Sequence, residues 1–198
     1  MIDFKNLSKE IPYLVLKEKY DEAIKAKQKN IEAICISSYS AKYKEVRARF
    51  VNLKFVNNKE FIFFSNYESP KSEDFISHNQ ITGLIYWNST NVQIRMKANV
   101  KKTDKKYNNT YFSMRDRKKN ALAISSNQSV PVDSYETVVE NYMLSLKNNN
   151  LSECPNNWGG YTFTPYYFEF WQGHESRLNK REVYDIQNNE WVHCYLEP

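Results

Sequence analysis

The chain reads Trp158-Gly-Gly-Tyr-Thr-Phe-Thr-Pro165, then Phe168-Glu-Phe-Trp-Gln-Gly173, then Arg177-Leu-Asn-Lys-Arg181. Aromatic side chains crowd the first two of these segments, and aromatic residues pack well on the pleated surface of a sheet. We therefore expect a strand over Tyr161–Trp171. A tryptophan at the end of such a strand is more often a core residue than a ligand contact, so Trp171 taken alone indicates only packing.

Upstream of this segment, strand-like and helical stretches follow one another. Glu45–Val56 is followed by the turn dipeptide Asn57-Asn58 and a further strand, and a second hairpin joins Ile81–Trp87 to Val92–Val100. Strands clustered in hairpins with helices between them are typical of an antiparallel barrel or an α+β domain. Further elements are an N-terminal helix over about 11–30, short helices after Ser69-Pro70 and Thr103-Asp104, a helix within 131–150, and strands over Glu182–Ile186 and Trp191–Leu196 around Asn188-Asn189.

Apolar residues at helical spacing predict which face of each helix is buried. The N-terminal helix begins at Pro12 and carries Ile24 among its spaced apolar residues. The helix after Ser69-Pro70 is expected to bury Phe75 and Ile76. The helix capped by Asp133-Ser134 is expected to face the core through Tyr135, Val138, Val139, Tyr142 and Leu146.

The composition is that of a globular protein. A chain of 198 residues is long enough for one sizeable core, and 41% of its residues are hydrophobic and 15% aromatic. No run approaches the roughly 20 apolar residues that span a bilayer, and no export signal is recognisable at the N-terminus. We expect a single domain over residues 1–198, located in the cytoplasm and without a membrane partner.

Cysteine, histidine, glycine and charge patterns exclude or disfavour several kinds of site. Cys35, Cys154 and Cys194 are widely spaced and are expected to be free thiols, and no histidine pair has metal-ligand spacing, so no metal is expected. The absence of a Gly-x-Gly-x-x-Gly motif excludes a Rossmann site. The net charge of +5 is scattered, which disfavours nucleic acid, while the cations within 115–119 suit a small anionic ligand.

The carboxyl-terminal motifs closely resemble those of pyridoxamine 5'-phosphate oxidases. Arg49-Phe-Val-Asn-Leu-Lys54 resembles the same family's Arg-x-Val-x-Leu-Lys strand, and Phe64-Ser-Asn-x-x-Ser-x-Lys71 resembles its phosphate loop. Gln93, Tyr111-Phe-x-x-Arg115 and Gln128-Ser129 follow in the expected order. The resemblance covers roughly residues 11–198. It implies a mainly β (α+β) fold, an FMN-binding split β-barrel with peripheral helices, in which 31–130 form the barrel core and 158–198 a dimerisation region.

The resemblance also implies an activity. Members are homodimers with FMN at the subunit interface, and they oxidise pyridoxamine or pyridoxine 5'-phosphate to pyridoxal 5'-phosphate with dioxygen. The flavin supplies the electron chemistry, so no catalytic triad is required. By resemblance, FMN is contacted by Arg49, Phe64, Ser65, Lys71, Gln93, Gln128, Ser129, Trp171 and Arg181. The substrate phosphate is contacted by Lys54, Tyr111, Arg115 and Lys119, and the catalytic positions are Arg177, over the substrate ring, and Asn179.

The spacing of these cations has consequences that do not depend on the resemblance. Tyr111 and Arg115 are four residues apart in a helical stretch, so one helix face would present both to a phosphate. Arg49 and Lys54 are five apart on a strand, and strict alternation points them to opposite faces. Two ligand sites would explain this spacing, and so would a β-bulge.

Three residues depart from the family's pattern. Asn179 stands where the family has histidine, and asparagine cannot change charge near neutral pH. Lys119 stands where the family has a serine, and Pro70 replaces the first residue of a basic pair. FMN binding is therefore expected even if the vitamin B6 reaction is not retained. The alternatives are a related FMN-dependent oxidase of another small substrate, as in phenazine biosynthesis, and a flavin-binding protein without turnover.

Overall fold

The centre of the protein is a ring of six β-strands, seen in a computed structural model that describes all 198 residues. Nine strands and five helices are present altogether. None of the helices combines the length and the apolar character needed to cross a bilayer. The strands are β1 (Asp3–Lys5), β2 (Ala33–Ser40), β3 (Glu45–Asn57), β4 (Glu60–Asn66), β5 (Gln80–Trp87), β6 (Val92–Lys102), β7 (Trp158–Gln172), β8 (Lys180–Gln187) and β9 (Glu190–Leu196). The helices are α1 (Ile11–Lys25), α2 (Pro70–Ser77), α3 (Lys105–Met114), α4 (Arg117–Ser125) and α5 (Tyr135–Asn148).

The ring closes because β4 bridges two strands that are far apart in the sequence. Its order is β2, β3, β4, β7, β6, β5 and back to β2, and every neighbouring pair is antiparallel. β3 belongs to two ladders, pairing first with β2 and then with β4, with a β-bulge between Leu53 and Phe55. β8 and β9 extend the sheet from β7, and β1, which was not predicted, pairs in parallel with β3. The expected mainly β, α+β architecture is confirmed.

Alternating side chains fill the inside of the ring. Ile34 of β2 and Ile94 of β6 are fully buried, while the residues beside them in each strand point outward. β4 and β7 contribute aromatic rings, and Phe61 stacks on Phe163 of the paired strand with 5.1 Å between ring centroids. Burying one such ring contributes about 1.5–3 kcal/mol. The core of 26 buried residues is therefore the main source of stability.

Helix α1 packs on this core through Tyr13, whose ring centroid lies 5.2 Å from that of Phe168. The helix ends at Lys25, earlier than expected, because Lys27 has a left-handed φ of 56°. Ile24, at a predicted core position, is 38% exposed. The predicted helix is confirmed, with a shorter buried face.

The two Asn-Asn turns join strands as predicted. Asn58, between β3 and β4, has a φ of 52°, and Asn188 and Asn189, between β8 and β9, have φ values of 50° and 66°. Asparagine adopts this left-handed conformation more readily than most residues because its short polar side chain forms local hydrogen bonds. Both hairpin predictions are confirmed.

The predicted buried faces of α2 and α5 are partly wrong. Phe75 is buried, but Ile76 is 74% exposed, because consecutive helical residues point about 100° apart. On α5, Tyr135 and Val139 are 76% and 42% exposed, and the buried residue is Ser145. α5 packs mainly against α4 and not against the ring. Its apolar spacing therefore predicted a helix but not that helix's position.

Candidate functional site

A cavity of about 640 Å³ lies between β3, β4, the start of α2 and the segment from α3 to residue 129. No carboxylate is among its lining residues. A water-filled cleft lined by charges of one sign concentrates ions of the opposite sign. The cavity is therefore suited to a ligand with more than one negative charge. Its six cations are Arg47, Arg49, Lys54, Lys71, Arg115 and Lys119.

Lys71, the second residue of α2, is the most deeply buried of these cations. Only 7% of it is exposed, and its Nζ donates to Ser65 Oγ, Ser69 Oγ and Gln128 Oε1, each at 2.9 Å. All three acceptors are neutral. Burial, together with the charge of Arg49, lowers the pKa of Lys71 to about 8. A buried ammonium with only neutral acceptors gains most from an anionic ligand.

Arg49 lies beside Lys71, in the part of β3 that pairs with β2. Its Nη1 donates to Ser38 Oγ at 2.7 Å, and its Nη2 lies 3.5 Å from Asp74 Oδ2. Ser38 Oγ donates in turn to Asp74 at 2.8 Å. The guanidinium is therefore held in one orientation by a carboxylate that lies behind the cavity wall.

A second group of cations lies at the α3–α4 side of the cavity. Arg115 Nη1 donates to the Lys119 carbonyl oxygen at 2.8 Å, and its Cζ lies 5.0 Å from the centroid of Trp158. Burial lowers the pKa of Lys54; the charge of Glu32 opposes this, and the charges of Lys119 and Arg115 add to it. Mutual repulsion of these cations favours binding of an anion among them.

The expected geometry of Tyr111 and Arg115 needs one correction. α3 ends at Met114, and Arg115 has an extended backbone with ψ of 155°, so the two side chains do not share a helix face. Both nevertheless line the cavity. The chain turns at Arg115 because Asp116 caps the following helix, accepting from the Lys119 N–H at 3.1 Å.

A β-bulge interrupts β3 at Lys54 and bears on its spacing from Arg49. Both residues line the same cavity, and the bulge between Leu53 and Phe55 shifts the alternation of β3 beyond it. The β-bulge that would explain the spacing is therefore present, and it does not exclude two ligand sites within the cavity. One strand supplies cations to both ends of one cavity.

Stacked aromatic rings form part of the cavity wall. Phe64 stacks on Tyr111 at 4.0 Å and on Trp158 at 5.1 Å between centroids. Trp158 was not among the predicted site residues, although it opens the most informative motif of the chain. Gly159 follows it because a Cβ there would collide with the Tyr67 hydroxyl and the Asn108 side chain.

The other predicted site residues lie outside this cavity. Gln93, Trp171 and Arg181 occupy one row across β6, β7 and β8, paired in register. Arg181 Nε donates to Glu169 Oε1 at 2.9 Å, and Arg95 pairs with the same carboxylate. Burial would raise the pKa of Glu169, but hydrogen bonds from both arginines outweigh it and lower the pKa.

Arg177 and Asn179 lie in the loop between β7 and β8. Arg177 is exposed and has a left-handed φ of 59°. Asn179 Oδ1 accepts a hydrogen bond from the His174 N–H at 3.1 Å, so its amide oxygen shapes the loop.

The cavity brings together ten of the predicted residues and leaves out the five in the β6–β8 row and this loop. The ten are Arg49, Lys54, Phe64, Ser65, Lys71, Tyr111, Arg115, Lys119, Gln128 and Ser129.

The row of Gln93, Trp171 and Arg181 belongs to a continuous outer face of the sheet. Cross-strand pairing connects Glu169 of β7 through β6, β5 and β2 to Phe50 of β3. Phe50 and Val46 on this face are 75% and 73% exposed. We call this surface, from β3 through β2, β5, β6 and β7 to β8, the outer sheet face. Large apolar side chains exposed together are typical of an interaction surface.

Comparison with known proteins places the chain among relatives along most of its length. A family model described as the pyridoxine 5'-phosphate oxidase C-terminal dimerisation region matches residues 158–198. A pyridoxine/pyridoxamine 5'-phosphate oxidase of Rhodopirellula baltica is 36% identical over 161 residues, which cover 78% of this chain and 72% of that protein. One from Hydrogenovibrio crunogenus is 33% identical over 192 residues, covering 94% and 88%.

Two solved structures share the fold. PhzG from Burkholderia lata 383, in complex with tetrahydrophenazine-1-carboxylic acid, has a TM-score of 0.88 at 22% identity, covering 94% of this chain and 92% of that one. A pyridoxamine 5'-phosphate oxidase-related, FMN-binding protein from Nostoc punctiforme has a TM-score of 0.79 at 10% identity, covering 96% and 100%. The predicted split barrel is confirmed.

Proposed function

The chain belongs to the pyridoxine/pyridoxamine 5'-phosphate oxidase family, and from this premise we propose that it is an FMN-dependent oxidase that converts pyridoxamine or pyridoxine 5'-phosphate to pyridoxal 5'-phosphate with dioxygen. One observation carries the proposal: a single cavity holds six cations, in two groups, and no lining carboxylate. FMN and the substrate each carry one phosphate. Two phosphates of nearly two negative charges each match two groups of cations.

Lys71 and Arg49 are the residues that would hold the FMN phosphate. Lys71 is buried without a carboxylate partner, and Arg49 is oriented by Asp74 and Ser38. Ser65 and Gln128, which accept from Lys71, add polar contacts at the same end. These donors suit a phosphomonoester, because ammonium and guanidinium groups make its strongest hydrogen bonds. Bound FMN would supply the electron chemistry, taking two electrons from substrate and delivering them to dioxygen.

Lys54, Tyr111, Arg115 and Lys119 would bind the substrate phosphate. Arg115 is fixed by its bond to the Lys119 carbonyl and by the Trp158 ring, so little side-chain entropy is lost on binding. The stacked rings of Phe64, Tyr111 and Trp158 line the same cavity. The oxidation removes two electrons and two protons from the alcohol or amine group, one hydrogen from its carbon and one from its oxygen or nitrogen, and dioxygen becomes hydrogen peroxide. The amine substrate also consumes water and releases ammonia.

The residues outside the cavity are explained by a homodimer. Gln93, Trp171 and Arg181 lie on the outer sheet face, which includes β7 of the segment that matches a dimerisation region. We propose that this face meets a second copy of the chain and that each subunit adds its row to the cavity of its partner. Phe50 lies both on this face and at the cavity, so the two surfaces adjoin.

Arg177 and Asn179 are proposed to reach the substrate across the same interface. The guanidinium of Arg177 is exposed in the β7–β8 loop, and the Asn179 oxygen is engaged by the His174 N–H, which leaves its amide N–H groups to donate. Asparagine takes no proton near neutral pH. Residue 179 would therefore orient the substrate and leave proton acceptance to another group.

The decisive experiment is stopped-flow reduction of the FMN-loaded protein by pyridoxine 5'-phosphate without oxygen. The flavin absorbance is expected to bleach at millimolar substrate, and air is expected to restore it with pyridoxal 5'-phosphate and hydrogen peroxide as products. Protein that retains FMN but is not bleached would contradict the vitamin B6 reaction. Protein that retains no FMN would contradict the assignment as a flavoenzyme.

A second candidate is oxidation of a reduced aromatic carboxylic acid. The observation that favours it is the extra cation Lys119 at the substrate end, together with Asn179 in place of the family's histidine. Arg115 and Lys119 would then hold a carboxylate. Bleaching of the flavin by tetrahydrophenazine-1-carboxylic acid, and not by pyridoxine 5'-phosphate, would establish this alternative.

A further inference from the structure

Arg47 lies at the FMN-phosphate end of the cavity without an assigned role. It precedes Arg49 by two residues on β3 and is paired with Ser38 of β2. Alternate residues of a strand share one face, so Arg47 and Arg49 point to the same side. The sequence therefore contains two arginines, not one, directed toward this end of the cavity.

The side chain of Arg47 is held in place by several contacts. Its Nη1 lies 3.6 Å from Asp74 Oδ1, while Arg49 Nη2 lies 3.5 Å from the other carboxylate oxygen. The Asp74 side chain is 1% exposed, so one buried carboxylate lies between two guanidinium groups. Arg47 Nε also donates to Glu45 at 2.7 Å, and its Cζ lies 4.6 Å from the centroid of Tyr43. An arginine held in this way loses little entropy when it binds an anion.

The local charge also fits a phosphomonoester. Arg47, Arg49 and Lys71 carry three positive charges, and Asp74 is the one buried carboxylate that pairs with them. The net charge of two matches the roughly −1.5 to −2 of a phosphomonoester at neutral pH. Without Arg47, only one positive charge would remain. This sum covers the three cations and the buried Asp74, and the half-exposed Glu45 that pairs with Arg47 at 2.7 Å stands outside it.

We propose, on the basis of the FMN site proposed above, that Arg47 is the third cation of the FMN-phosphate subsite and that Asp74 positions it together with Arg49. Pro70 lines the same cavity and carries no charge or N–H donor. Arg47 supplies from β3 the charge that the start of α2 lacks. The subsite is thereby specific for the phosphate of FMN, because riboflavin has the same ring system without that phosphate.

The test compares dissociation constants for FMN and riboflavin, measured by quenching of flavin fluorescence. Arg47→Met is expected to weaken FMN binding by about 10-fold or more, as loss of a charged hydrogen bond does, and to leave riboflavin binding within about twofold. Arg47→Lys is expected to retain part of the FMN affinity. The matched control is Lys42→Met, which removes an exposed cation that also lies over Tyr43 but does not line the cavity.

A second variant tests the relation to position 70. Pro70→Arg added to Arg47→Met is expected to recover most of the lost FMN affinity, because both side chains line one end of the cavity. A double variant as weak as Arg47→Met would overturn the placement of both residues on one phosphate. Circular dichroism of each variant confirms folding.

Two results on the single variant would overturn the proposal. Unchanged FMN affinity would remove Arg47 from the subsite, and an equal loss for FMN and riboflavin would make its role structural. Both leave the proposed flavoenzyme intact. Wild-type protein that binds neither flavin would overturn the proposed function and this inference together.

Discussion

The cavity and the outer sheet face both contain arginines, but the two regions treat positive charge differently. The cavity presents six cations, of which Arg47 and Arg49 pair with Asp74 behind its wall and the other four form no ion pair. On the outer sheet face, Arg95 and Arg181 converge on Glu169, which is 3% exposed. Uncompensated charge attracts a ligand, whereas paired charge fixes the shape of a surface. The comparison indicates that the cavity is suited to binding anions and that the outer sheet face is held in a fixed shape, as the proposed interface requires.

The largest expected effect comes from breaking the outer sheet face. Phe50→Glu places a charge where a 75% exposed aromatic ring is proposed to meet a second subunit. The dimer dissociation constant is expected to rise at least about 1000-fold, because symmetry introduces the change twice at roughly 2 kcal/mol or more each. Analytical ultracentrifugation measures it. Val139→Glu, on the exposed side of α5, is the control, and a Phe50→Glu protein as dimeric as this control would refute the interface.

A substitution in the cavity should weaken ligand binding without changing dimer assembly. Lys71→Met removes the buried ammonium, and FMN affinity is expected to fall about 100-fold, since a charged hydrogen bond contributes as much as ~3 kcal/mol. Fluorescence titration measures the affinity, and sedimentation should show an unchanged dimer. Lys42→Met is the control for loss of one positive charge. FMN bound with wild-type affinity would show that the phosphate lies elsewhere.

Removing the carboxylate that pairs with the arginines of the outer sheet face should lower the stability of the protein. Glu169→Gln leaves Arg95 and Arg181 without their carboxylate, and the free energy of unfolding is expected to fall by roughly 1–3 kcal/mol. Urea denaturation measures the change. Glu175→Gln, in the exposed β7–β8 loop, should have no effect. If Glu169→Gln is as stable as that control, the contrast between paired and unpaired charge is wrong.

The smallest expected effect is a pH dependence of FMN affinity, which belongs to the cavity alone. Lys71 has a pKa of about 8 without ligand, and a bound phosphate would favour its charged form and raise that pKa. FMN binding above pH 8 then takes up a proton, so affinity falls as pH rises, by about fivefold between pH 8 and pH 9. Titrations across this range measure it. Lys71→Met should abolish the slope, and a slope that survives the substitution would assign it to another group.

Local chemistry in the sequence predicted more of the fold than of the arrangement of the site. Both Asn-Asn turns and the capping residues Asp104 and Ser134 were predictable, because turns and caps depend on a few adjacent residues. α4 was not predicted, since its Arg-Lys-Lys-Asn start has no apolar periodicity. Closure of the ring was also beyond the local pattern, because pairing of Phe61 with Phe163 joins segments separated by about half of the chain.

The sequence motifs likewise predicted which residues belong to the site but not which of them lie together in the folded chain. Arg49 and Gln93 were predicted to contact one cofactor, yet they lie in the cavity and on the outer sheet face. A linear motif does not record which subunit supplies a residue. Arg47 was missed although its two-residue spacing from Arg49 was a usable signal, and Trp158 was missed because a buried tryptophan is usually a core residue.

The bulge in β3 fixes a length. Residues up to Asn52 are paired with β2 and residues from Leu53 onward with β4, so neither half of the strand can slide without breaking a ladder. The separation between Arg49 and Lys54 is therefore set by the covalent chain and is insensitive to loop motion. Two anionic groups bound to these residues would therefore be held at a constant distance from each other throughout turnover, because β3 fixes the spacing of the residues that bind them.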